Sequence, residues 1–341
     1  MSEPLVLPDL TSVSYVMPVL NEQRYLQAAV ESILQQDFAG PVEVVLALGP
    51  STDETNRIAA ELVAAHGAQV TVVSNPTGKT SAGLNAAIAA SHHDVVVRVD
   101  AHSKLSAGYT TAAVAILNDT GAANVGGLMR AVGDNAFQRA VAWAYMSRIG
   151  LGGGAYHIGA EAGPADSVYL GVFRRSALQE IGGFDESIIR GQDWELNLRL
   201  RLSGRVVWFD PRLEVEYHPR SSWGALAKQF IDTGAWRGQL TLRSPATASL
   251  RYFAPPALVL ATFVGLIFSS LGYALGALPL GAYLGLILLA VLAGTRGRLG
   301  IATTLWLLIV LPTMHFAWGI GFIAGIASGL IGRFRQTPKQ G

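Results

Sequence analysis

The most restrictive feature of this 341-residue chain is a run of 44 uncharged residues between Arg251 and Arg296. A helix that crosses a bilayer needs about 20 apolar residues, so this run is long enough for two such helices. We expect a helical hairpin that turns near residues 272–279. A second uncharged run of 34 residues, between Arg298 and Arg333, is long for one crossing helix and short for two. Core helices of soluble proteins rarely stay uncharged over such lengths, so the sequence predicts three or four transmembrane segments.

Basic residues next to these runs bear on the orientation of the anchor. Residues 251–341 contain six Lys/Arg and no Asp/Glu, whereas the first 250 residues carry 19 basic and 24 acidic side chains. Lys and Arg that flank membrane helices favour the cytoplasmic side. If both ends of the second run face the cytoplasm, the run must enter the membrane and return at Pro312; a single kinked helix places the C-terminus outside. The composition of the chain, with 50% hydrophobic and only 14% charged residues, argues against a nucleic-acid partner.

Cysteine is absent, which excludes disulfides and thiolate metal sites, so any metal must be held by oxygen or imidazole ligands. The N-terminal residues lack a basic stretch before an apolar run and do not look like a secretory signal. We therefore expect a multi-pass protein of the inner (plasma) membrane with a cytoplasmic N-terminal domain. The predicted divisions are an α/β domain at 1–220, an amphipathic interfacial helix region at 221–251, transmembrane helices at 252–332 and a basic tail at 333–341.

The first hundred residues alternate between apolar, β-branched runs and longer segments typical of helices. The strands are predicted at 12–20, 41–48, 68–74 and 94–101, and the helices between them at 21–36, 51–67 and 81–93. Ser51 or Thr52 is the predicted N-cap of the second helix, with Glu54 in its first turn. This alternation predicts a right-handed, parallel α/β sheet of Rossmann-like type. In such sheets ligands bind beyond the carboxyl ends of the strands.

Asp100 and His102 follow the most apolar of these strands and stand two residues apart. Once the chain leaves the extended conformation, the carboxylate and the imidazole can turn toward one cation. A hard divalent ion that bridges phosphate oxygens takes ligands of this kind. The same pair is also compatible with an aspartate that caps the next turn beside a solvated histidine.

Asp193 falls in the first turn of a helix predicted to begin near Gln192. A carboxylate there can act as a general base if an acceptor hydroxyl comes within hydrogen-bond reach. It can equally complement the dipole of the helix. Asp185 and Glu186, in the loop that precedes this helix, are the second choices for the base.

Two basic residues are candidates for a phosphate. Lys79 lies in SNPTGKT, where a P-loop is excluded because Val73 occupies the position of the first glycine. Lys79 can still meet the phosphates or the base of a nucleotide, or remain a solvated loop residue. Arg237 follows Trp236 in the amphipathic segment 220–244. Its guanidinium can bind a leaving diphosphate through two hydrogen bonds. Alternatively, the segment is a helix that only anchors the chain in the headgroup layer.

Five stretches, in the same order along residues 12–240, resemble the family 2 inverting glycosyltransferases. They are MPVLNEQRYL, GPSTDET, NPTGKTSAGLNAAIAAS, VDAHS and the pair GGFDE and GQDWEL. The resemblance implies a GT-A fold, a Rossmann-like nucleotide-diphospho-sugar transferase domain, before the transmembrane helices. Two positions depart from the pattern: His102 replaces the second aspartate of D-x-D, and residues 48–51 read LGPS where D-D-G-S is usual.

The resemblance also implies roles for individual residues. One group is expected to line the nucleobase and ribose pocket of a nucleotide-diphosphate sugar: Pro18, Asn21, Glu22, Asp53 and Lys79. Asp100 and His102 are expected to coordinate Mn²⁺ or Mg²⁺ on the diphosphate, with the imidazole favouring Mn²⁺. Asp193 is expected to deprotonate the acceptor.

Among membrane-anchored members, D-A-H followed by Gly108-Tyr109 is most similar to the ExoA-type glycosyltransferases of succinoglycan synthesis. The resemblance implies a hexosyltransferase that extends a polyprenyl-linked saccharide in exopolysaccharide assembly. Processive synthases instead carry Q-x-x-R-W near the membrane, where this chain has only Gln229 and, further on, Trp236-Arg237. Two alternatives are a polyprenyl-phosphate sugar synthase and a non-catalytic membrane scaffold or transport component with a transferase fold.

Overall fold

The computed structural model describes residues 9–188, 190–243, 245, 248–296 and 298–336, with side chains up to residue 331. The chain divides into two compact units. The first runs to Arg130 and includes Gly154–His218. The second contains Ala131–Gly153 and continues from Pro219. The basic tail predicted at 333–341 has no described side chains.

A single mixed sheet organises the first unit. Its nine strands, among the described residues, are β1 Val13–Val19, β2 Val42–Leu48, β3 Val70–Ser74, β4 Val95–Arg98, β5 Ser103–Leu105, β6 Asn124–Ala131, β7 Gly163–Pro164, β8 Tyr169–Arg174 and β9 Val207–Tyr217. They are arranged in the order β3-β2-β1-β4-β8-β6-β9-β5, and β7 pairs with β9.

Helices make up most of the remaining chain. In chain order they are α1 Leu26–Leu34, α2 Thr55–His66, α3 Thr80–Ala90, α4 Tyr109–Thr120, α5 Ala136–Tyr145, α6 Arg148–Leu151, α7 Ala155–Ile158, α8 Arg175–Glu180, α9 Gln192–Leu202, α10 Trp223–Arg243, α11 Ala254–Ser270, α12 Leu278–Thr295 and α13 Ile301–Gln336. The second unit holds α5, α6 and α10 to α13.

The four strands at one side of the sheet confirm the predicted parallel arrangement. β1 pairs in parallel with β2 and β4, and β2 pairs in parallel with β3. Alternate β1 residues belong to different apolar clusters: Tyr15 and Met17 to one, and Val16 to the other. Strands buried on both faces read as continuous apolar runs, which explains why these four were visible in the sequence. The later strands β8, β6, β9 and β5 pair antiparallel where register is given.

The predicted N-cap of α2 was wrong. α2 begins at Thr55, so Ser51 and Thr52 lie outside it. Their hydroxyls are engaged instead by Asn21: the Ser51 Oγ accepts the Asn21 backbone N–H at 3.0 Å, and the Thr52 hydroxyl donates to the Asn21 Oδ1 at 3.3 Å. Asp53 accepts the backbone N–H of Thr55 at 3.1 Å. A contact with the loop after β1 therefore replaced local capping.

The second unit confirms the predicted hairpin. α11 and α12 are joined through residues 271–277, and α13 continues as one helix through Pro312. Three helices in the described chain are thus long and apolar enough to cross a membrane. The alternative in which the last run turns back at Pro312 is not observed.

α10 packs tightly against α13. A Cβ on Gly234 or Gly238 would lie 2.1 or 2.3 Å from a backbone carbonyl oxygen of α13. A Cβ on Gly321 or Gly325 would lie 2.1 Å from a carbonyl oxygen of α10. Paired small residues that let two backbones approach are typical of helix contacts in membranes. α10 and α13 are therefore packed through small residues, which leaves both interpretations of segment 220–244, a diphosphate contact by Arg237 and an anchoring helix, as predictions.

Candidate active site

The loops after β1 and β2 are joined to each other by hydrogen bonds between polar residues. Asn21 adopts a left-handed backbone with φ of 56°, and its Oδ1 accepts the backbone N–H of Thr52 at 2.8 Å. The Asp53 Oδ1 accepts the Thr55 hydroxyl at 2.5 Å. Hydrogen bonds from Thr55 and from the Gln23 backbone hold the pKa of Asp53 below its usual value. A fixed carboxylate beside an amide can receive hydroxyl and N–H donors of a nucleoside.

Arg98, the last residue of β4, joins two of the predicted site residues. Its side chain is 4% exposed. Its Nε and Nη2 donate to the Asp100 Oδ1 at 3.3 and 3.0 Å, and its Nη1 donates to the Asp193 Oδ1. Asp100 thus lies just beyond the carboxyl end of β4, and Asp193, in the first turn of α9, bonds to the same guanidinium.

Electrostatics favour the ionised form of Asp100. Burial alone raises the pKa of this carboxyl group, but the charges of Arg98 and His102 and the hydrogen bonds from Arg98 outweigh burial and hold the pKa below its usual value. The side chain is still 22% exposed, so a ligand can reach it. An ionised carboxylate, Asp100, therefore follows β4 and is partly exposed to solvent.

Glu22, in the loop after the neighbouring parallel strand β1, contacts His102. The Glu22 Oε1 lies 2.9 Å from the Nδ1 of His102. A carboxylate that takes one ring N–H fixes the tautomer and orients the other nitrogen, as in many metal sites. The ring nitrogen suited to a cation is then Nε2. Glu22, predicted to line the nucleoside pocket, is placed here as the partner of His102.

Asp100 and His102 fit a divalent cation as an incomplete ligand set. One carboxylate and one imidazole suit Mn²⁺ or Mg²⁺ when phosphate oxygens supply further ligands. Within the described residues, no group of three or more His, Asp or Glu side chains is arranged to hold a metal. The cation would accordingly depend on the diphosphate for its remaining ligands.

The two second-choice bases have other partners, Asp185 within its own loop and Glu186 on α3. Asp185 accepts the backbone N–H of Ser187 at 2.8 Å, and its bonds with Ser187 lower its pKa. The Glu186 Oε1 accepts from the Nδ2 of Asn85 at 2.9 Å. Neither contact involves Arg98. Asp193 therefore has the stronger structural claim to the role of base.

The remaining predicted residues are distributed as follows. Pro18 lies within β1, and the exposed Lys79 immediately precedes α3. Arg237 lies in the second unit, with its guanidinium carbon 4.6 Å from the Trp236 ring centroid and 4.4 Å from that of Tyr252. Its assignment to a diphosphate stays a prediction.

Sequence reasoning missed Arg98, although the sequence held a usable signal. Arg98 interrupts the apolar run of β4, a strand paired on both sides. A charged residue in such a strand must be compensated by an opposite charge nearby. The sequence therefore indicates that Arg98 needs an acidic partner, without telling which carboxylate it is.

Comparison with known proteins gives a consistent result. A family profile described as "Glycosyltransferase like family 2" matches residues 8–231. The chain is 30% identical over 321 residues to the succinoglycan biosynthesis protein ExoA of Rhizobium meliloti (strain 1021), covering 92% of this chain and 95% of that protein. It is 26% identical over 234 residues to a dolichyl N-acetyl-alpha-D-glucosaminyl phosphate 3-beta-D-2,3-diacetamido-2,3-dideoxy-beta-D-glucuronosyltransferase of Methanococcus voltae, covering 66% and 73%.

Solved structures show the same GT-A fold. The mannosyltransferase PcManGT from Pyrobaculum calidifontis, in complex with GDP-Man and Mn²⁺, is similar with a TM-score of 0.55 and 19% identity, over 94% of this chain and 87% of that chain. TarS of S. aureus in complex with UDP-GlcNAc has a TM-score of 0.50 and 16% identity, over 96% and 93%.

Proposed function

The chain belongs to glycosyltransferase family 2, and we propose that it is an inverting enzyme that moves a sugar from a nucleotide-diphosphate sugar to a polyprenyl-linked saccharide. The observation that carries this proposal is the joining of Asp100 and Asp193 by the buried Arg98. Both the candidate diphosphate-side ligand and the candidate base bond to this one guanidinium, which supports a shared site. Similarity to ExoA supports a role in exopolysaccharide assembly.

The donor is proposed to bind along the ends of β1, β2 and β4. Asn21 and Asp53 offer an amide and an ionised carboxylate to the nucleoside, with Pro18 in the adjoining strand and Lys79 close in sequence to the start of α3. Similar structures bind GDP-Man and UDP-GlcNAc, which supports a nucleotide sugar as the ligand class. Arg237 remains a proposed further contact to the diphosphate.

Asp100 and His102 are the residues proposed to hold Mn²⁺ or Mg²⁺. When bound, such a cation stabilises negative charge on the departing diphosphate. The presence of Mn²⁺ in the PcManGT complex supports this assignment. Glu22 orients the His102 ring, and Arg98 keeps Asp100 ionised.

Asp193 is proposed to act as the general base. The acceptor hydroxyl oxygen forms a bond with the anomeric carbon, the bond from that carbon to the diphosphate oxygen breaks, and the hydroxyl proton passes to Asp193. One such displacement inverts the anomeric configuration. Proton transfer to a positioned base contributes about 10² to 10⁴ in rate.

A lipid-linked acceptor is favoured by the three apolar helices of the second unit. A polyprenyl tail cannot leave the bilayer cheaply, because burial of each CH₂ group is worth about 0.8 kcal/mol. An enzyme that acts on such a substrate gains from being held at the membrane. The dolichyl-linked acceptor in the name of the Methanococcus voltae relative supports the same class.

We also propose a plasma-membrane topology with a cytoplasmic catalytic domain. Three crossings place the loop with Arg296 and Arg298 on the cytoplasmic side, as the positive-inside tendency prefers, whereas the C-terminus is then outside, against that tendency. The chain has no cysteine, so single cysteines can report the side. A thiol reagent that cannot cross the membrane should label Leu275→Cys in intact cells and Gly300→Cys only after permeabilisation. The opposite pattern would reverse the topology.

Asp193→Asn tests the mechanism directly. The variant should lose transfer by about 10² to 10⁴ while a screen of UDP-glucose, UDP-galactose, UDP-N-acetylglucosamine and GDP-mannose, with and without Mn²⁺, gives the same thermal stabilisation as wild type. Ligands that bind only the folded state raise its melting temperature. Full activity of this variant would instead favour a polyprenyl-phosphate sugar synthase, because a phosphate acceptor needs no strong base.

A further inference from the structure

Arg98 stands out as the least exposed charged residue in the network described above. Its side chain is 4% exposed, whereas the side chains of its partners Asp100 and Asp193 are 22% and 30% exposed. An unpaired charge at that depth is strongly unfavourable, so both carboxylates are needed to compensate it. The two carboxylates in turn need Arg98, because like charges that lie close together repel each other unless a cation lies between them.

The geometry of the contacts constrains both partners. Arg98 uses Nε and Nη2 toward the Asp100 Oδ1, and Nη1 toward the Asp193 Oδ1. A guanidinium is planar, so donors on its different edges have a fixed mutual geometry. Asp193 is therefore held at a set distance from Asp100 by a residue that reaches across 95 positions of the chain.

We propose that Arg98 is a positioning residue for sugar transfer. It fixes the base Asp193 relative to the diphosphate-side ligand Asp100 and supplies the positive charge that keeps the two carboxylates together before donor and cation bind. Arg98 bonds only the Oδ1 of each carboxylate, so the Oδ2 of Asp100 is proposed to serve the cation and the Oδ2 of Asp193 the acceptor proton. The inference rests on the proposed function, because it assigns Arg98 to the same transfer.

Three variants separate positioning from support of the fold. Arg98→Met removes charge and hydrogen bonds, and Arg98→Lys keeps the charge without the planar fork. Arg174→Met is the matched control: Arg174 is also 4% exposed, but its side chain donates to the backbone carbonyls of Ala122 and Leu117 at 3.1 and 2.7 Å. Both methionine variants should lower the melting temperature of the full chain.

The first readout is a double-mutant cycle on nucleoside diphosphate release. Membranes that carry the full chain and its lipids are supplied with UDP-glucose, UDP-galactose, UDP-N-acetylglucosamine or GDP-mannose. Arg98→Met should lower kcat about 10²-fold, since misplacing a reacting group by 1 Å has an effect of that size, with donor KM changed less than about threefold. Arg98→Lys should recover part of the loss. In an Asp193→Asn background, Arg98→Met should add no further loss.

The second readout uses Mn²⁺ alone and needs no donor. Removing the positive charge that now pairs with Asp100 should tighten binding of Mn²⁺ to the full chain by roughly tenfold or more, measured by electron paramagnetic resonance. Arg98→Lys should retain wild-type affinity. Arg174→Met should not tighten it.

The outcomes divide as follows. Tighter Mn²⁺ binding, a loss confined to kcat and no added loss beside Asp193→Asn support the proposal. Near-normal kcat in Arg98→Met, losses that multiply in the double variant, or unchanged or weakened Mn²⁺ binding would overturn it. A fully active Asp193→Asn single variant would instead show that the base assignment of the proposed function is the part that failed.

Discussion

The contact between α10 and α13 yields a prediction whose size follows from the structure. A Cβ added at Gly238 would lie 2.3 Å from the carbonyl oxygen of Phe322, whereas an ordinary contact begins near 3.4 Å. The two helices must separate by about 1 Å to admit the methyl group. Overpacking of this kind costs about 1 to 3 kcal/mol.

The helix preference of alanine offsets part of that cost. Replacing glycine in a helix gains up to about 1 kcal/mol, so Gly238→Ala should lower the free energy of unfolding by up to about 2 kcal/mol and be about 1 to 3 kcal/mol less stable than an alanine variant without the clash. Gly224→Ala is the matched control on α10, because a Cβ there meets nothing within 4 Å. That variant should be neutral or slightly more stable than wild type.

Chemical denaturation of the full chain in detergent micelles measures both free energies. A Gly238→Ala protein as stable as the Gly224→Ala protein would refute the close approach of the two helices. A loss several-fold above the expected range would indicate that α13 does not move as one body and that the variant disrupts more than this contact.

Two further predictions concern stability, one in each unit. Glu43 accepts from Ser14 Oγ at 2.7 Å and from the His92 backbone at 2.6 Å; although burial raises the pKa of Glu43, these bonds lower it further than burial raises it. Glu43→Gln should therefore lower the free energy of unfolding by about 1.5 to 3 kcal/mol at pH 7. This difference from wild type should vanish as the pH falls below 4.5, the ordinary pKa of a glutamate, because the carboxylate is then protonated. Denaturation at several pH values checks this. The Tyr283 hydroxyl donates to Nδ1 of His315 at 2.8 Å, because the Nε2 of that ring bonds a backbone carbonyl. Tyr283→Phe should lower the free energy of unfolding in micelles by about 0.6 to 1.7 kcal/mol. An unchanged free energy would show that this hydrogen bond does not stabilise the fold.

The parallel half of the sheet could be predicted because its signal is local. β1, β2, β3 and β4 are short apolar runs, and polar residues follow each of them at one edge. That pattern was enough to select Asn21, Asp53, Asp100 and His102. The site was therefore found as a list of positions, without the bonds between them.

Those bonds were hidden because they join distant parts of the chain. Glu22 meets His102 across 80 positions, and Arg98 meets Asp193 across 95. No local pattern encodes such pairings. The N-cap error at α2 has the same origin, since Ser51 turned to Asn21 rather than to its own helix.

The second unit shows a similar limit. α5 packs on α13, where the ring centroids of Phe137 and Trp306 lie 5.1 Å apart. The apolar composition of the last run predicted a transmembrane helix. It could not predict which helix of the chain would pack against it.

The central claim is transfer of sugar from a nucleotide-sugar donor to a lipid-linked acceptor, with Asp100 required. The most direct measurement follows radiolabel from the four nucleotide sugars into the lipid-extractable fraction of membranes that carry the full chain. Wild type should incorporate label from one of them, and Asp100→Asn should reduce incorporation by at least about 10². Equal incorporation by both proteins, or label that never enters lipid, would contradict the account.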